Sequence, residues 1–131
     1  KKGDITLISD CYNAAPPSVM SAIDLLTKSD DAKRTVVILG DMFELGTDEA
    51  ILHQAVGEYA AKNKVGLLIA IGELSKNTYN GSACSGGNAL WFETKEEFLQ
   101  KADTILNDGD VILVKASHSM DFPKIVTALT Q

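Results

Sequence analysis

The sequence predicts an α/β fold: a Rossmann-like, doubly wound, mostly parallel sheet of five or six strands with helices on both faces. Five short runs rich in Val, Ile and Leu, at residues 5–9, 35–39, 67–71, 89–92 and 111–115, read as buried strands. The segments between them have helical length and period. Val19, Ala22, Ile23 and Leu26 share the i, i+3, i+4, i+7 spacing of one buried face, as do Leu52, Ala55, Val56 and Tyr59, and finally Phe122, Ile125, Val126 and Leu129. Continuous apolar strands alternating with one-faced helices imply a parallel sheet covered on both sides, because right-handed crossovers lay each helix onto a face.

Start and stop signals support the elements in order. Pro16-Pro17 suits the first turn of a helix after strand one, since proline lacks only an N–H that a helix start leaves unpaired anyway. Thr47-Asp48-Glu49 puts acids at an amino end, where the helix dipole favours them. The segment 81–88, Gly-Ser-Ala-Cys-Ser-Gly-Gly-Asn, reads as a loop before strand four. Thr94-Lys95-Glu96-Glu97 then has the spacing of a capping box. No internal repeat or linker divides the chain, so residues 1–131 read as a single domain.

Composition bounds the function. At 131 residues and 45% hydrophobic the chain can bury a core without disulfides or metal. Twelve Lys and Arg against eighteen Asp and Glu give a net charge of −6, which argues against a nucleic-acid or anionic-membrane partner. Cys11 and Cys84 form no Cys-x-x-Cys pair and have no histidine at metal-ligand spacing, so no metal site is expected and a reducing cytoplasm fits. No apolar stretch reaches the roughly 20 residues of a membrane span. The chain opens on Lys1-Lys2-Gly3-Asp4 without an initiator Met, which reads as a domain cut from a longer protein.

In a parallel sheet the residues after each strand meet at one edge, where open α/β sheets bind ligands. Here these are Asp10 to Asn13, the loop Gly40-Asp41-Met42-Phe43-Glu44-Leu45-Gly46, Gly72-Glu73-Leu74-Ser75, and Lys115-Ala116-Ser117-His118-Ser119. Taken singly, the glycines terminate strands and Asp10 and Asp41 cap helices. Their joint occurrence points to a binding crevice. Neither G-x-G-x-x-G nor a loop ending in Gly-Lys-Ser/Thr is present, so no nucleotide should be held by this domain alone. His53, inside a helix, reads as a packing residue. Ser117-His118 is too little for a nucleophile and its base, which geometry defines. Cys11 reads as a small buried thiol.

Three blocks carry a family resemblance: Asp-Cys-Tyr-Asn-Ala-x-Pro at 10–16, Gly-Asp-Met-x-Glu-Leu-Gly at 40–46, and Leu-Val-Lys-x-Ser-x-Ser-Met at 113–120. Together they resemble the carboxy-terminal domain of the Mur ligases, over essentially the whole chain. The resemblance implies the third domain of a three-domain, ATP-dependent cytoplasmic ligase of peptidoglycan synthesis. Most similar is the branch that joins D-alanyl-D-alanine to UDP-N-acetylmuramoyl-tripeptide through an acyl phosphate, with ATP and Mg²⁺ held mainly by the central domain. It further implies Asp10, Tyr12 and Asn13 on the nucleotide side, Lys115, Ser117 and His118 on the dipeptide side, and Asp41 and Glu44 shaping the loop that faces the central domain. The resemblance places no catalytic residue in this domain, which alone should be inert.

Two alternatives compete on the residues. A sister ligase adding a single amino acid would share the fold but is disfavoured by the Met-x-Glu-Leu core of the Gly40 loop. A phosphoacceptor receiver domain also has five strands, with Lys after the fifth. It requires an acid pair after strand one and an Asp after strand three, where this chain has Ser9-Asp10 and Gly72-Glu73.

Overall fold

The computed structural model describes residues 6–9, 16–27, 34–41, 46–106 and 111–115. The elements are β1 (Thr6–Ser9), α1 (Pro16–Thr27), β2 (Thr35–Gly40), a 3-10 turn (Gly46–Asp48), α2 (Glu49–Lys62), β3 (Leu67–Ile71), α3 (Ser75–Cys84), β4 (Ala89–Phe92), α4 (Lys95–Ile105) and β5 (Val111–Lys115). The strands form one sheet in the order β1-β5-β2-β3-β4, and every pairing is parallel. The described residues thus supply five strands. The helix expected over 122–129 lies outside them.

Alternation along each strand divides the core in two. Val36, Ile38, Ile69, Ile71, Ile112 and Val114 pack with Phe98, Ala102 and Leu106 of α4 and its end. Val37, Leu39, Leu68, Ala70 and Leu113 face the other way, onto Val19 and Ile23 of α1 and Val56 and Ala60 of α2. Crossover handedness explains the split. From β1 to β4 the chain steps across the sheet in one direction with α1, α2 and α3 on one face. It then returns to place β5 between β1 and β2, and a right-handed return must lay α4 on the opposite face. Phe98 is fully buried and meets Phe92 edge-to-face, with ring centroids 5.8 Å apart.

Local signals account for the ends. α1 begins at Pro16 as expected. α4 is capped by Thr94, whose side chain accepts a hydrogen bond from Glu97 N–H at 3.2 Å, with Glu96 and Glu97 in the first turn. At α2, Glu49 occupies the first turn, but Asp48 makes no side-chain cap bond.

Two expectations are corrected. The segment 81–88 is not all loop, because α3 runs through Gly81 to Cys84. Its glycine is a packing residue: α3 lies so close to α2 that a Cβ at Gly81 would sit 2.2 Å from the carbonyl oxygen of Gln54. Strand β4 is not buried like the others. It forms the sheet's edge, leaving Leu90 38% exposed and only Phe92 of its four residues buried.

α1 and α2 are joined on the outside by Tyr59, which donates a short hydrogen bond to Asp24 Oδ1. That bond to the Asp24 carboxylate, with partial burial and the carboxylate's charge, raises the Tyr59 pKa above its ordinary value of 10.0.

Candidate functional site

All five strands run parallel, so their carboxyl ends share one rim. Register sets the order along it. β1 ends beside β5, with Ser9 opposite Val114. Lys115, Leu39, Ala70 and Trp91 form one row across β5, β2, β3 and β4. At about 4.8 Å per strand, Lys115 and Trp91 stand about 14 Å apart along the rim. Of the residues expected at the site, the structure describes Asp41 fully and Lys115 as the last residue of β5. Asp10, Tyr12, Asn13, Glu44, Ser117 and His118 lie outside the described residues, as does Cys11.

Asp41 follows β2 directly and is 6% exposed. Its Oδ1 accepts two hydrogen bonds from Ser75, one from the backbone N–H and one from the side-chain hydroxyl, each 2.7 Å long. Ser75 is the first residue of α3, and the residue before it, Leu74, has no side chain able to cap. Asp41 therefore does cap a helix, but not one adjacent to it in sequence: the carboxylate reaches across from the neighbouring strand to the amino end of α3. Burying a carboxylate is costly unless its oxygens are bonded, and here a helix terminus supplies both donors and a favourable dipole.

The turn between β3 and α3 is shaped around that carboxylate. Gly72 has φ +115°, a conformation that favours glycine, and a Cβ there would fall 2.5 Å from Asp41 Oδ1. The same turn is tied to β4. Gly72 N–H donates to the Phe92 carbonyl at 2.9 Å, and the Trp91 indole N–H donates to the Gly72 carbonyl at 2.8 Å.

Beside this turn opens a groove of about 600 Å³ lined by Glu73, Lys76, Trp91 and Glu93. It lies where α3 and α4, which follow neighbouring strands, go to opposite faces of the sheet, the topological switch at which open α/β sheets form crevices. The Lys76 ammonium stands 5.4 Å from the centre of the Trp91 ring. The groove thus presents an aromatic face with charges of both signs, a surface suited to a small zwitterion. Reading the sequence missed Lys76, Trp91 and Glu93. Trp91 is hidden within an apolar strand run, and its only signal is an indole N–H one residue from the strand's end.

Other expectations fall away from the rim. His53 is fully buried in α2, where its Nδ1 donates to the Glu49 carbonyl at 2.7 Å, so it is a packing residue. Cys84 is an exposed free thiol at the end of α3. Among the described residues no cluster of three or more His, Cys, Asp or Glu is arranged to hold a metal ion, and no helix is long and apolar enough to cross a membrane.

Comparison with known proteins gives consistent matches. UDP-N-acetylmuramoyl-tripeptide--D-alanyl-D-alanine ligase of Bacillus subtilis (strain 168) is 30% identical over 129 residues, covering 97% of this chain and 28% of the relative. The enzyme of the same name from Buchnera aphidicola subsp. Acyrthosiphon pisum (strain APS) is 32% identical over 127 residues, covering 94% and 26%. The chain therefore spans little more than a quarter of these relatives. Among solved structures, MurF from Acinetobacter baumannii superposes with a TM-score of 0.84 at 23% identity, covering 98% of this chain and 29% of that one. MurF ligase from Thermotoga maritima in complex with ADP gives 0.78 at 19%, covering 98% and 28%. These structural likenesses establish the fold. The family model described as "Mur ligase, glutamate ligase domain" matches residues 1–118, and the chain belongs to that family.

Proposed function

We propose that residues 1–131 are the carboxy-terminal domain of a three-domain, ATP-dependent ligase that joins D-alanyl-D-alanine to UDP-N-acetylmuramoyl-tripeptide in cytoplasmic peptidoglycan synthesis. The observation that carries this reading is the pairing of β1 with β5. It sets Ser9, the residue before the first motif, beside Val114 within the third, about a hundred residues apart in sequence, on one rim. A nucleotide-side site at Asp10, Tyr12 and Asn13 would then neighbour a dipeptide-side site at Lys115, Ser117 and His118. That is the proximity an amine needs to meet an acyl phosphate formed with ATP. The relatives' names, which specify this ligation, support the choice of substrate.

In this reading the tripeptide carboxylate takes the γ-phosphoryl group of ATP. The dipeptide amine attacks the resulting acyl phosphate, and phosphate leaves as the amide forms. Mg²⁺, assigned to the central domain, would neutralise phosphate charge. The Lys115 ammonium and the Ser117 hydroxyl would hold the dipeptide carboxylate. The groove lined by Glu73, Lys76, Trp91 and Glu93 extends the same rim, and its acids Glu73 and Glu93 would receive the dipeptide's ammonium end. The Asp41 carboxylate is engaged within the domain, so Glu44 is the acid assigned to face the central domain.

The test is assembly. Joined to the two amino-terminal domains, the chain should form product only when ATP, Mg²⁺, UDP-tripeptide and D-Ala-D-Ala are all present. Product with a single amino acid and none with the dipeptide would reject this choice of substrate.

A further inference from the structure

We infer that Asp41 is a positioning residue for the amine substrate: its buried carboxylate holds the β3–α3 turn, and with it Glu73 and Lys76, in place at the rim. The inference rests on the dipeptide-ligase reading and deepens it, assigning to Asp41 a role distinct from interdomain contact.

The contacts form one chain. Asp41 Oδ1 binds both donors of Ser75, and Gly72 lacks a side chain where that carboxylate stands. Gly72 in turn is bonded through its N–H and its carbonyl to Phe92 and Trp91. Glu73 lies between Gly72 and Ser75, and Lys76 follows Ser75, so both groove residues sit on backbone that Asp41 clamps. α3 has no cap of its own at Leu74. Without the carboxylate, the first turn of α3 loses the acceptor for its leading N–H, and the groove's α3 wall loses its fixed position.

The geometry also predicts which substrate should feel the loss. Asp41 and its partners follow β2 and β3, whereas the nucleotide-side residues follow β1, with β5 intervening between β1 and β2. A displaced β3–α3 turn should therefore weaken use of the dipeptide and spare ATP.

The experiment uses the full-length ligase carrying this domain, with Asp41→Ala, Asp41→Asn and Ser75→Ala variants. Two quantities are read: amide hydrogen exchange over residues 72–76, and KM for D-Ala-D-Ala and for ATP. Asp41→Ala should speed exchange in that segment and raise KM for D-Ala-D-Ala about tenfold or more, the scale of a small misplacement of a binding group, with KM for ATP changed less than about twofold. Asp41→Asn keeps an oxygen able to accept both Ser75 bonds and should restore exchange close to wild type. Ser75→Ala removes only the hydroxyl bond and should shift both readouts the same way by less, which keeps the inference testable should Asp41→Ala not fold. Unchanged exchange in the Ala variants, or KM values for both substrates rising together, overturns the assignment. Failure of the wild-type enzyme to use D-Ala-D-Ala rejects the proposed function instead, and exchange over 72–76 then decides alone whether Asp41 holds the turn.

Discussion

Gly57 of α2 lies directly against the backbone of Thr78 in α3: a Cβ at residue 57 would sit 1.9 Å from the Thr78 carbonyl oxygen and 2.9 Å from Ser82 N. With Gly81 similarly set against Gln54, the two helices approach at a distance that only glycine allows at these positions. In an exposed helix, Gly→Ala gains about 1 kcal/mol from propensity. Here the clash is with backbone, which cannot rotate away, and overpacking of this kind costs about 1–3 kcal/mol. Gly57→Ala should therefore lower the urea midpoint of unfolding, and a rise in that midpoint would refute the close packing.

Phe98 anchors the face covered by α4, where it is fully buried against Phe92. Phe98→Ala should cost about 3–5 kcal/mol, the range for emptying an aromatic site in a core. Phe98→Leu, which refills much of the space, should cost markedly less. Equal losses for the two substitutions in denaturant titrations would show that the ring does not fill a packed site.

Thr94 is exposed, so its contribution to α4 is its cap alone. Thr94→Ala removes the acceptor for Glu97 N–H and should cost about 1 kcal/mol, whereas Thr94→Ser should be close to neutral. Thermal unfolding of the two variants separates a capping role from a packing one.

Tyr59 makes stability depend on alkaline pH. Its pKa is raised in the folded state, chiefly by the hydrogen bond to Asp24, so the folded protein binds this proton more tightly than the unfolded chain. The added stability is fully present below the unfolded value near 10.0 and is lost as pH rises through the folded value. Tyr59→Phe should lower stability at pH 8 and flatten its decline above pH 10. Urea unfolding at pH 8 and pH 11 measures this. An identical pH slope in wild type and variant would exclude the Tyr59–Asp24 bond as its source.

The strands and the handedness of their crossovers were legible because apolar runs and the 3.6-residue period are local properties. Residues 67–71, 89–92 and 111–115 are strands as read, and α1 starts at its proline. What misled was composition without context. The segment 81–88 looks like a loop because Gly and Ser are usually loop residues, yet in α3 their small size is what lets two helices touch. The run 89–92 looks buried because three of its residues are large and apolar, yet its place at the sheet's edge leaves it half covered. The first and third motifs carried the family resemblance in their own residues. The capping of α3 by Asp41 was not, since 34 residues separate Asp41 from Ser75 and neither has a local signal for the other.

Alternation of hydrophobic runs with one-faced helices was enough to determine a parallel α/β sheet with polar loops on a common edge, because each element must bury its apolar side and right-handed crossovers leave few ways to do so. Strand order is not contained in that pattern. Only the folded arrangement places β5 between β1 and β2, bringing the ends of β1 and β5 together, and sets the carboxylate of Asp41 beneath the amino end of α3. Those juxtapositions follow from packing between distant segments: which helix covers which face, and where a buried charge finds donors.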